Sequence, residues 1–339
     1  MSVKDCKIAI YGAGAMGTVL GALLTEGGLA VDLITRNKAH VEGMKKNGAT
    51  IVCEADNVEK NIPVNALYPE EMTAGYDVIF LMTKQRFNGE IVQGLLPYLK
   101  KDGVICTTQN GLPESSVAKL AGNERTYGAA TSFGATFHGE GKVSLTSKIE
   151  AMSMEVGGYC NDNSKNGLLC EVLSCVLKEN FVKATDNLIG ARWSKLAINA
   201  AFSGLSVVTG MTFGEVAKKR KTRKLALGVL RECMAVAKAS GVTLAKMQGH
   251  DMEKLLGGKL AYLLLPIAMK KHKKLLSGML KDVQNGRKCE IDFVNGVVVN
   301  EGERVGVPTP LCAQIVEMVH GIENGLYEIS YKNADFFGL

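Results

Sequence analysis

Short apolar runs alternate with amphipathic and polar stretches through the first half of the chain. The runs that predict strands are Lys7–Tyr11, Ala30–Thr35, Val78–Met82 and Val104–Thr108. Alternation of strands with helical segments predicts a parallel sheet wrapped by helices. Two later segments, 125–146 and 149–159, are predicted to add further strands and turns.

From about residue 186 the pattern changes to long windows of helical periodicity. These windows are Leu188–Val208, Thr222–Ser240, His250–Leu256, Glu290–Glu301 and Pro310–Asn324. A chain of 339 residues is long enough for two domains. The sequence therefore predicts an α/β domain over residues 1–185 and an all-helical domain over residues 186–339.

Composition and charge exclude several classes of protein. The chain is 46% hydrophobic and 22% charged, with a formal net charge of +6, which suits an anionic small molecule but falls short of the basic face of a nucleic-acid-binding protein. The basic runs 218–224 and 270–274 are predicted to be solvated helix faces. The longest apolar stretch, around 196–213, is interrupted by Asn199, Ser203 and Ser206, so no membrane partner is expected.

Cysteine and histidine usage points to a reducing compartment and to no bound metal. The nine cysteines form no CxxC pair, and the five histidines have no metal-ligand spacing. We therefore expect a cytoplasmic protein with free thiols.

The segment "YGAGAMG" (11–17) joins the first predicted strand to a predicted helix. Its glycines, Gly12, Gly14 and Gly17, allow a tight turn, a close approach of pyrophosphate to the backbone, and packing of the helix on the strand. Between them lie Ala13, Ala15 and Met16, at the amino end of the helix, where free N–H groups attract phosphate. The segment thus predicts a dinucleotide site.

The end of the second strand indicates which dinucleotide is bound. A site selective for NAD has a carboxylate there, for the ribose 2′-hydroxyl. This chain has Arg36 and Lys38 instead, and a guanidinium can form paired hydrogen bonds with a 2′-phosphate. NADPH is therefore the expected cofactor; the alternative is a solvated arginine at a strand end.

Five segments together resemble the ketopantoate reductase (2-dehydropantoate 2-reductase) family. They are "FLMTKQ" (80–85), "TQNGL" (108–112), "YGAATSFGATFHGEGKV" (127–143), "RWSKLAINAAFSGLSVVTG" (192–210) and "SGMLKDVQNGRKCEIDFVNG" (277–296). The resemblance implies a Rossmann domain followed by a helical domain, an active site in the cleft between them, and NADPH-dependent reduction of a 2-oxo acid to a 2-hydroxy acid.

Lys195, Asn199 and Ser203 are spaced four apart and share one face of a helix. By spacing alone, a helix with one wet face explains them equally well. By resemblance, Lys195 is the general acid that protonates the developing alkoxide, and Asn199 holds the substrate.

The resemblance gives roles to three further residues, and Ser277 is added as a candidate. Glu290 is the active-site glutamate, which orients the substrate hydroxyl and the lysine; from the sequence alone, it could equally be a carboxylate stabilising the start of a helix. Lys84 and Asn110 end adjacent strands and contact the cofactor and the substrate, although Asn110-Gly111 is also an ordinary turn pair. Ser277 is a candidate substrate-binding residue.

Three positions depart from the family pattern. Ser203 stands where the family has a second asparagine, Gly278 where it has a serine, and Leu275 where it often has an asparagine. A different, more apolar 2-oxo acid is therefore an alternative substrate. A non-catalytic NADP(H)-binding sensor is a third hypothesis. Helical domains of this kind often dimerise, so a homodimer through the helical domain is an expectation for the assembly.

Overall fold

The computed structural model describes residues 2–176, 182–246, 251, 254, 258 and 260–338. Its Cα packing divides the chain into two compact units. The first consists of residues 1–109 and 113–188, and the second of residues 110–112 and 189–339.

The first unit is built on an eight-stranded sheet, with the strand order β12-β11-β8-β7-β6-β1-β2-β5. Its strands are β1 (Lys7–Tyr11), β2 (Ala30–Ile34), β5 (Asn65–Leu67), β6 (Tyr76–Leu81), β7 (Leu99–Thr107), β8 (Thr126–Thr131), β11 (Met154–Gly158) and β12 (Val182–Ala184). The six neighbouring strands β5, β2, β1, β6, β7 and β8 pair in parallel, while β11 runs antiparallel to β8. The predicted parallel sheet is confirmed.

The order of the strands reverses at β1, which lies between β2 and β6. In an open parallel sheet, ligands bind outside the carboxyl ends of the strands at such a reversal. The segment 11–17 begins at this point, so the topology places the glycine-rich turn where a dinucleotide binds in a Rossmann fold.

A second, four-stranded sheet has the order β4-β3-β10-β9. Its strands are β3 (Ala49–Cys53), β4 (Val58–Ile62), β9 (Ala135–Gly139) and β10 (Lys142–Leu145). Helix α1 (Ala15–Glu26) contacts β1 and β2 of the first sheet and all four strands of the second. Since both sides of α1 are covered, every residue from Gly17 to Leu24 is buried, which accounts for its nearly continuous apolar sequence.

Among its described residues, the first unit has four other α-helices: α2 (Lys38–Asn47), α3 (Asn88–Leu95), α4 (Glu114–Ala121) and α5 (Asn166–Ser174). Helix α2 begins at an N-cap, because the side chain of Asn37 accepts a hydrogen bond from the backbone N–H of His40. This cap fixes where the chain turns after Arg36.

The second unit is helical. Its helices are α6 (Leu188–Thr209), α7 (Phe213–Lys218), α8 (Arg220–Ala239), α9 (Ala261–Ala268), α10 (Gly278–Gln284), α11 (Asn295–Val305) and α12 (Pro310–Glu323). Their apolar faces share one core, in which Trp193, Phe202 and Leu230 are almost fully buried. An α/β unit with a Rossmann-like sheet thus precedes an all-helical unit, as the sequence predicts.

One predicted helix is wrong at its start. Glu290 does not open an α-helix; it precedes a single 3₁₀ turn, Ile291–Phe293, and α11 begins only at Asn295. The backbone of Val294 (φ −116°, ψ −81°) interrupts the helical path between the two elements. The expectation of a carboxylate in the first turn of a helix therefore fails. Most of the window predicted over 250–256 lies outside the described residues.

Candidate functional site: a dinucleotide turn and a lysine-bearing helix

The glycine-rich turn after β1 has no room for side chains at two positions. Gly12 has φ +103°, and a Cβ at this residue would lie 2.7 Å from the backbone of Met82 and Thr83. A Cβ at Gly17 would lie 2.4 Å from the carbonyl oxygen of Gly12. The first glycine therefore allows the turn and the third lets α1 approach it, as expected from the sequence.

The turn is also tied to the end of β2. The backbone N–H groups of Gly12 and Ala13 both donate to the carbonyl oxygen of Ile34, at 3.0 and 2.9 Å. Ile34 precedes Thr35 and Arg36, so the turn and the candidate 2′-phosphate residue are held together by backbone contacts.

A cavity of about 370 Å³ opens at this edge of the sheet. It is lined by residues of the turn, the end of β2 and the segment after β6: Tyr11, Gly12, Gly14, Ile34, Thr35, Arg36, Pro69, Met82, Thr83, Lys84, Phe87 and Ile91. Gly14 is the N-cap of helix α1 and has no side chain to cap it, which leaves the N-terminal N–H groups of the helix for a ligand. The glycines of the turn and the uncapped N–H groups fit the pyrophosphate of a dinucleotide.

Arg36 lies on the rim of this cavity with most of its side chain exposed. Its nearest charged partner is Glu90 of α3, with Nη2 and Oε1 3.8 Å apart. A pair this exposed contributes little energy, so the guanidinium can exchange the carboxylate for a phosphate. Lys38 is exposed in the first turn of α2.

A buried amide network, which the sequence did not indicate, supports the segment after β6. The side-chain amide of Gln109 donates to the carbonyl oxygen of Thr83 at 2.8 Å and to Oδ1 of Asn88 at 2.7 Å. Asn88 donates in return to Oε1 of Gln109, at 3.0 Å, and to the Ser116 hydroxyl. Because Thr83 precedes Lys84, this network fixes the backbone that carries the predicted cofactor lysine.

His40 forms a second buried network, behind the glycine-rich turn. The backbone N–H of Gly141 donates to Nδ1, at 3.0 Å, which places the ring hydrogen on Nε2, 2.9 Å from the Thr18 hydroxyl. Thr18 in turn donates to the carbonyl oxygen of Ala13. Burial lowers the pKa of His40 to about 4, so the ring is neutral at pH 7. It connects Gly141 to Thr18 of α1 through its two ring nitrogens.

In the helical unit, α6 carries the predicted polar face. Burial, and secondarily the positive charge of Arg192, lower the pKa of Lys195 to about 7. An ammonium with such a pKa can both donate and recover a proton near neutral pH. Arg192 is itself almost fully buried, and the sequence analysis did not single it out.

The other polar residues of α6 have different environments. Asn199 is partly buried and Ser203 is buried, on the same face as Lys195. Ser206 is fully buried and donates to the carbonyl oxygen of Met211 at 2.7 Å. Its hydroxyl therefore closes the end of α6.

Asn295, at the start of α11, is held against α6. The Asn295 side chain is fully buried and donates from Nδ2 to the carbonyl oxygen of Ala200 at 3.1 Å. Gly204 makes this approach possible, since a Cβ there would lie 2.8 Å from Oδ1 of Asn295. The start of α11, five residues after Glu290, is thereby fixed against the helix that carries Lys195.

Two of the three departures, Leu275 and Gly278, lie on either side of Ser277 at the start of α10, and the third, Ser203, lies on α6. Ser277 is buried and its hydroxyl accepts the N–H of Met279, so it caps α10. A Cβ at Gly278 would have no neighbouring heavy atom within 4 Å, so the backbone does not require glycine there. Leu275 is 43% exposed.

Asn110 follows β7, which is paired with β6 as predicted, and it is exposed. Residues 110–112 pack with the helical unit, where Leu112 contacts the core.

Comparisons with known proteins agree with this architecture. Residues 8–157 match the family described as ketopantoate reductase PanE/ApbA, and residues 187–323 match the C-terminal domain of the same family. The chain belongs to the ketopantoate reductase family. A 2-dehydropantoate 2-reductase of Pyrococcus horikoshii is 27% identical over 312 residues, covering 90% of this chain and 93% of the relative.

Two solved structures illustrate the range of this ketopantoate reductase fold. The 2-dehydropantoate 2-reductase of Geobacter metallireducens superposes with a TM-score of 0.80 at 25% identity, over 93% of this chain and 99% of that one. The D-mandelate dehydrogenase solved with NADH and anilino(oxo)acetate has a TM-score of 0.81 at 26% identity, over 94% and 99%. The protein is a nicotinamide-dependent oxidoreductase that acts on the CH–OH/C=O pair.

The described residues contain neither a membrane-spanning helix nor a cluster of metal ligands. No helix in this part of the chain is long and apolar enough to cross a membrane. Nor do three or more histidine, cysteine, aspartate or glutamate side chains of this part come together where they could hold a metal ion.

Proposed function

We propose that this protein is a cytoplasmic enzyme that reduces 2-dehydropantoate (ketopantoate) to (R)-pantoate with NADPH, in pantothenate and coenzyme A biosynthesis. The observation that carries the proposal is Lys195, whose pKa is lowered to about 7 on a helix face shared with Asn199 and Ser203. A proton donor poised near neutral pH is what the reduction of a ketone requires, because the carbonyl oxygen gains negative charge.

In this proposal, residues 1–185 form the NADP-binding domain. The backbone of Gly12, Ala13, Gly14, Ala15, Met16 and Gly17 holds the pyrophosphate, Arg36 holds the 2′-phosphate, and Lys84 and Asn110 contact the rest of the cofactor. NADPH, when bound, supplies the hydride. The tight turn, with no room for side chains at Gly12 and Gly17, and the uncapped start of α1 support this assignment.

Residues 186–339 form the substrate and catalytic domain of the proposed enzyme. Lys195 donates a proton to the former carbonyl oxygen, and its lowered pKa makes that transfer easier than from an ordinary lysine. Glu290 orients the resulting hydroxyl and the lysine. Asn199, Ser203, Ser277 and Asn110 bind the substrate through hydrogen bonds.

A second candidate is the reduction of a different branched 2-oxo acid. The exposed Leu275 and the unconstrained Gly278 favour it, because both replace polar groups expected to hold ketopantoate. The D-mandelate dehydrogenase relative supports it too, since that structure holds anilino(oxo)acetate.

The proposal also includes a homodimer through the helical domain. The large exposed apolar side chains Leu326, Tyr327 and Phe336 support it, since such residues favour burial against a partner. Sedimentation equilibrium tests it, and a monomer at all concentrations would contradict it.

A panel of 2-oxo acids assayed with NADPH and with NADH tests the function. The proposal expects the highest kcat/KM for ketopantoate with NADPH. A higher kcat/KM for another branched 2-oxo acid would establish the second candidate. Tight NADPH binding without oxidation by any substrate would contradict both and indicate a non-catalytic sensor.

A further inference from the structure

Glu290 is in a short irregular segment. It follows the Gly286 turn and precedes the 3₁₀ turn Ile291–Phe293. A side chain on such a segment is not positioned by a regular helix, and catalytic groups need placement to a fraction of an ångström. Contacts to the neighbouring residues must therefore fix it.

The end of α12 provides the first of these contacts. Glu323 is buried, with 4% of its side chain exposed, and it uses both carboxylate oxygens. Oε1 accepts the backbone N–H of Cys289 at 2.8 Å, and Oε2 lies 3.3 Å from Nδ1 of His320. Cys289 immediately precedes Glu290, so the backbone on that side is pinned.

His320 provides the second contact, on the other side of Glu290. Its Nε2 lies 2.8 Å from Oδ1 of Asp292, two residues after Glu290. Partial burial opposes the charged ring, but the hydrogen bonds and charges of Asp292 and Glu323 outweigh it and raise the pKa of His320. A protonated ring donates from both nitrogens and so bridges the two carboxylates.

We propose that Glu323, His320 and Asp292 form a brace that positions Glu290 for its part in the reaction. His320 is a positioning residue, acting through the backbone at 289 and 292. The inference rests on the proposed role of Glu290.

The exposure of the His320–Asp292 pair distinguishes positioning from stabilisation. The side chains of His320 and Asp292 are 39% and 57% exposed, and ion pairs that exposed contribute little to stability. A shift of about 1 Å in a catalytic group, by contrast, can cost about a hundredfold in rate. Loss of this pair is therefore expected to have a large effect on kcat and only a small effect on the stability of the fold.

The test compares His320→Ala, His320→Gln and Asp292→Asn with Gln314→Ala, an exposed position on the same helix. We expect His320→Ala to lower kcat about tenfold or more and to leave NADPH Kd nearly unchanged, while Tm falls moderately because the buried Oε2 of Glu323 loses a partner. His320→Gln should recover part of the loss, because its amide can still donate to Asp292. Gln314→Ala should behave as the parent protein.

A double variant and an exchange measurement decide whether His320 acts through Glu290. Glu290→Gln combined with His320→Ala should be no slower than Glu290→Gln alone, because the brace has nothing left to position. Amide exchange at residues 289–292 should accelerate in His320→Ala without any ligand.

Three results would overturn the brace. Parent-like kcat in His320→Ala alongside a slow Glu290→Gln would show that His320 positions nothing. Additive losses in the double variant would show that it acts elsewhere. A fully active Glu290→Gln would remove the proposed role of Glu290, and the brace with it.

Discussion

The two units build their sites from different parts of the chain. In the first unit, the cavity lies beside a glycine-rich turn of the backbone, where side chains at Gly12 and Gly17 would clash with neighbouring backbone. In the helical unit, the candidate groups are side chains on α6 and on the segment 289–292, held by contacts between helices. A backbone site leaves a local signature in the sequence, whereas a site of converging side chains leaves only separated residues. The variant with the largest expected effect on activity is on α6.

Lys195→Ala is expected to have the largest effect. Removing the proton donor should lower kcat by about 10²–10⁴-fold, while NADPH Kd stays within about twofold. Steady-state kinetics and nicotinamide fluorescence measure the two quantities. Lys224→Ala, at an exposed lysine of α8, is the matched control. Near-normal turnover in Lys195→Ala would remove the catalytic role from the helical unit.

Arg36→Ala tests a side chain of the first unit. The Arg36 guanidinium, rather than the backbone, is proposed to determine the preference for NADPH over NADH. Loss of paired, charge-assisted hydrogen bonds should weaken NADPH binding by about 10–100-fold and leave NADH almost unchanged. Calorimetry with 2′,5′-ADP and 5′-AMP isolates the 2′-phosphate. Lys46→Ala removes an exposed charge from α2 and serves as the control. Equal losses for both nucleotides would argue against a 2′-phosphate site.

The pH profile probes the lowered pKa of Lys195. The protonated amine is the donor, so the rate of reduction should be highest below pH 7 and fall as pH rises through about 7, tending to about tenfold per unit. Single-turnover rates of ketone reduction across this range measure it. A profile flat to pH 9 would show that Lys195 is an ordinary, fully protonated lysine.

Gly278→Ser should have the smallest effect. It tests whether position 278 contributes to the preference between ketopantoate and a more apolar 2-oxo acid. The backbone there has space for a side chain, so the variant should fold as the parent does. A restored hydroxyl should raise kcat/KM for ketopantoate a few-fold relative to an apolar 2-oxo acid. Gly89→Ala, at another unconstrained glycine, controls for the effect of adding a Cβ. An unchanged ratio of the two substrates would exclude position 278 from substrate choice.

The sequence by itself predicted the four central strands of the parallel sheet, the glycine-rich turn and the helical second half, because these depend on local periodicity and on steric demands within a few residues. It did not predict the short strands β3, β4, β5 and β12. It also placed Lys195, Asn199 and Ser203 on one helical face through their spacing. It put Glu290 in a helix, which is wrong, since the apolar pattern continues across the break at Val294.

Only the tertiary structure revealed the partners that lie far apart in the chain. Gln109 with Asn88, His40 with Gly141, Asn295 with Ala200, and His320 with Asp292 are contacts of this kind. The lowered pKa of Lys195 likewise depends on burial that folding creates. Amides, histidines and carboxylates have no periodicity of their own, so their pairing is decided by how the elements pack.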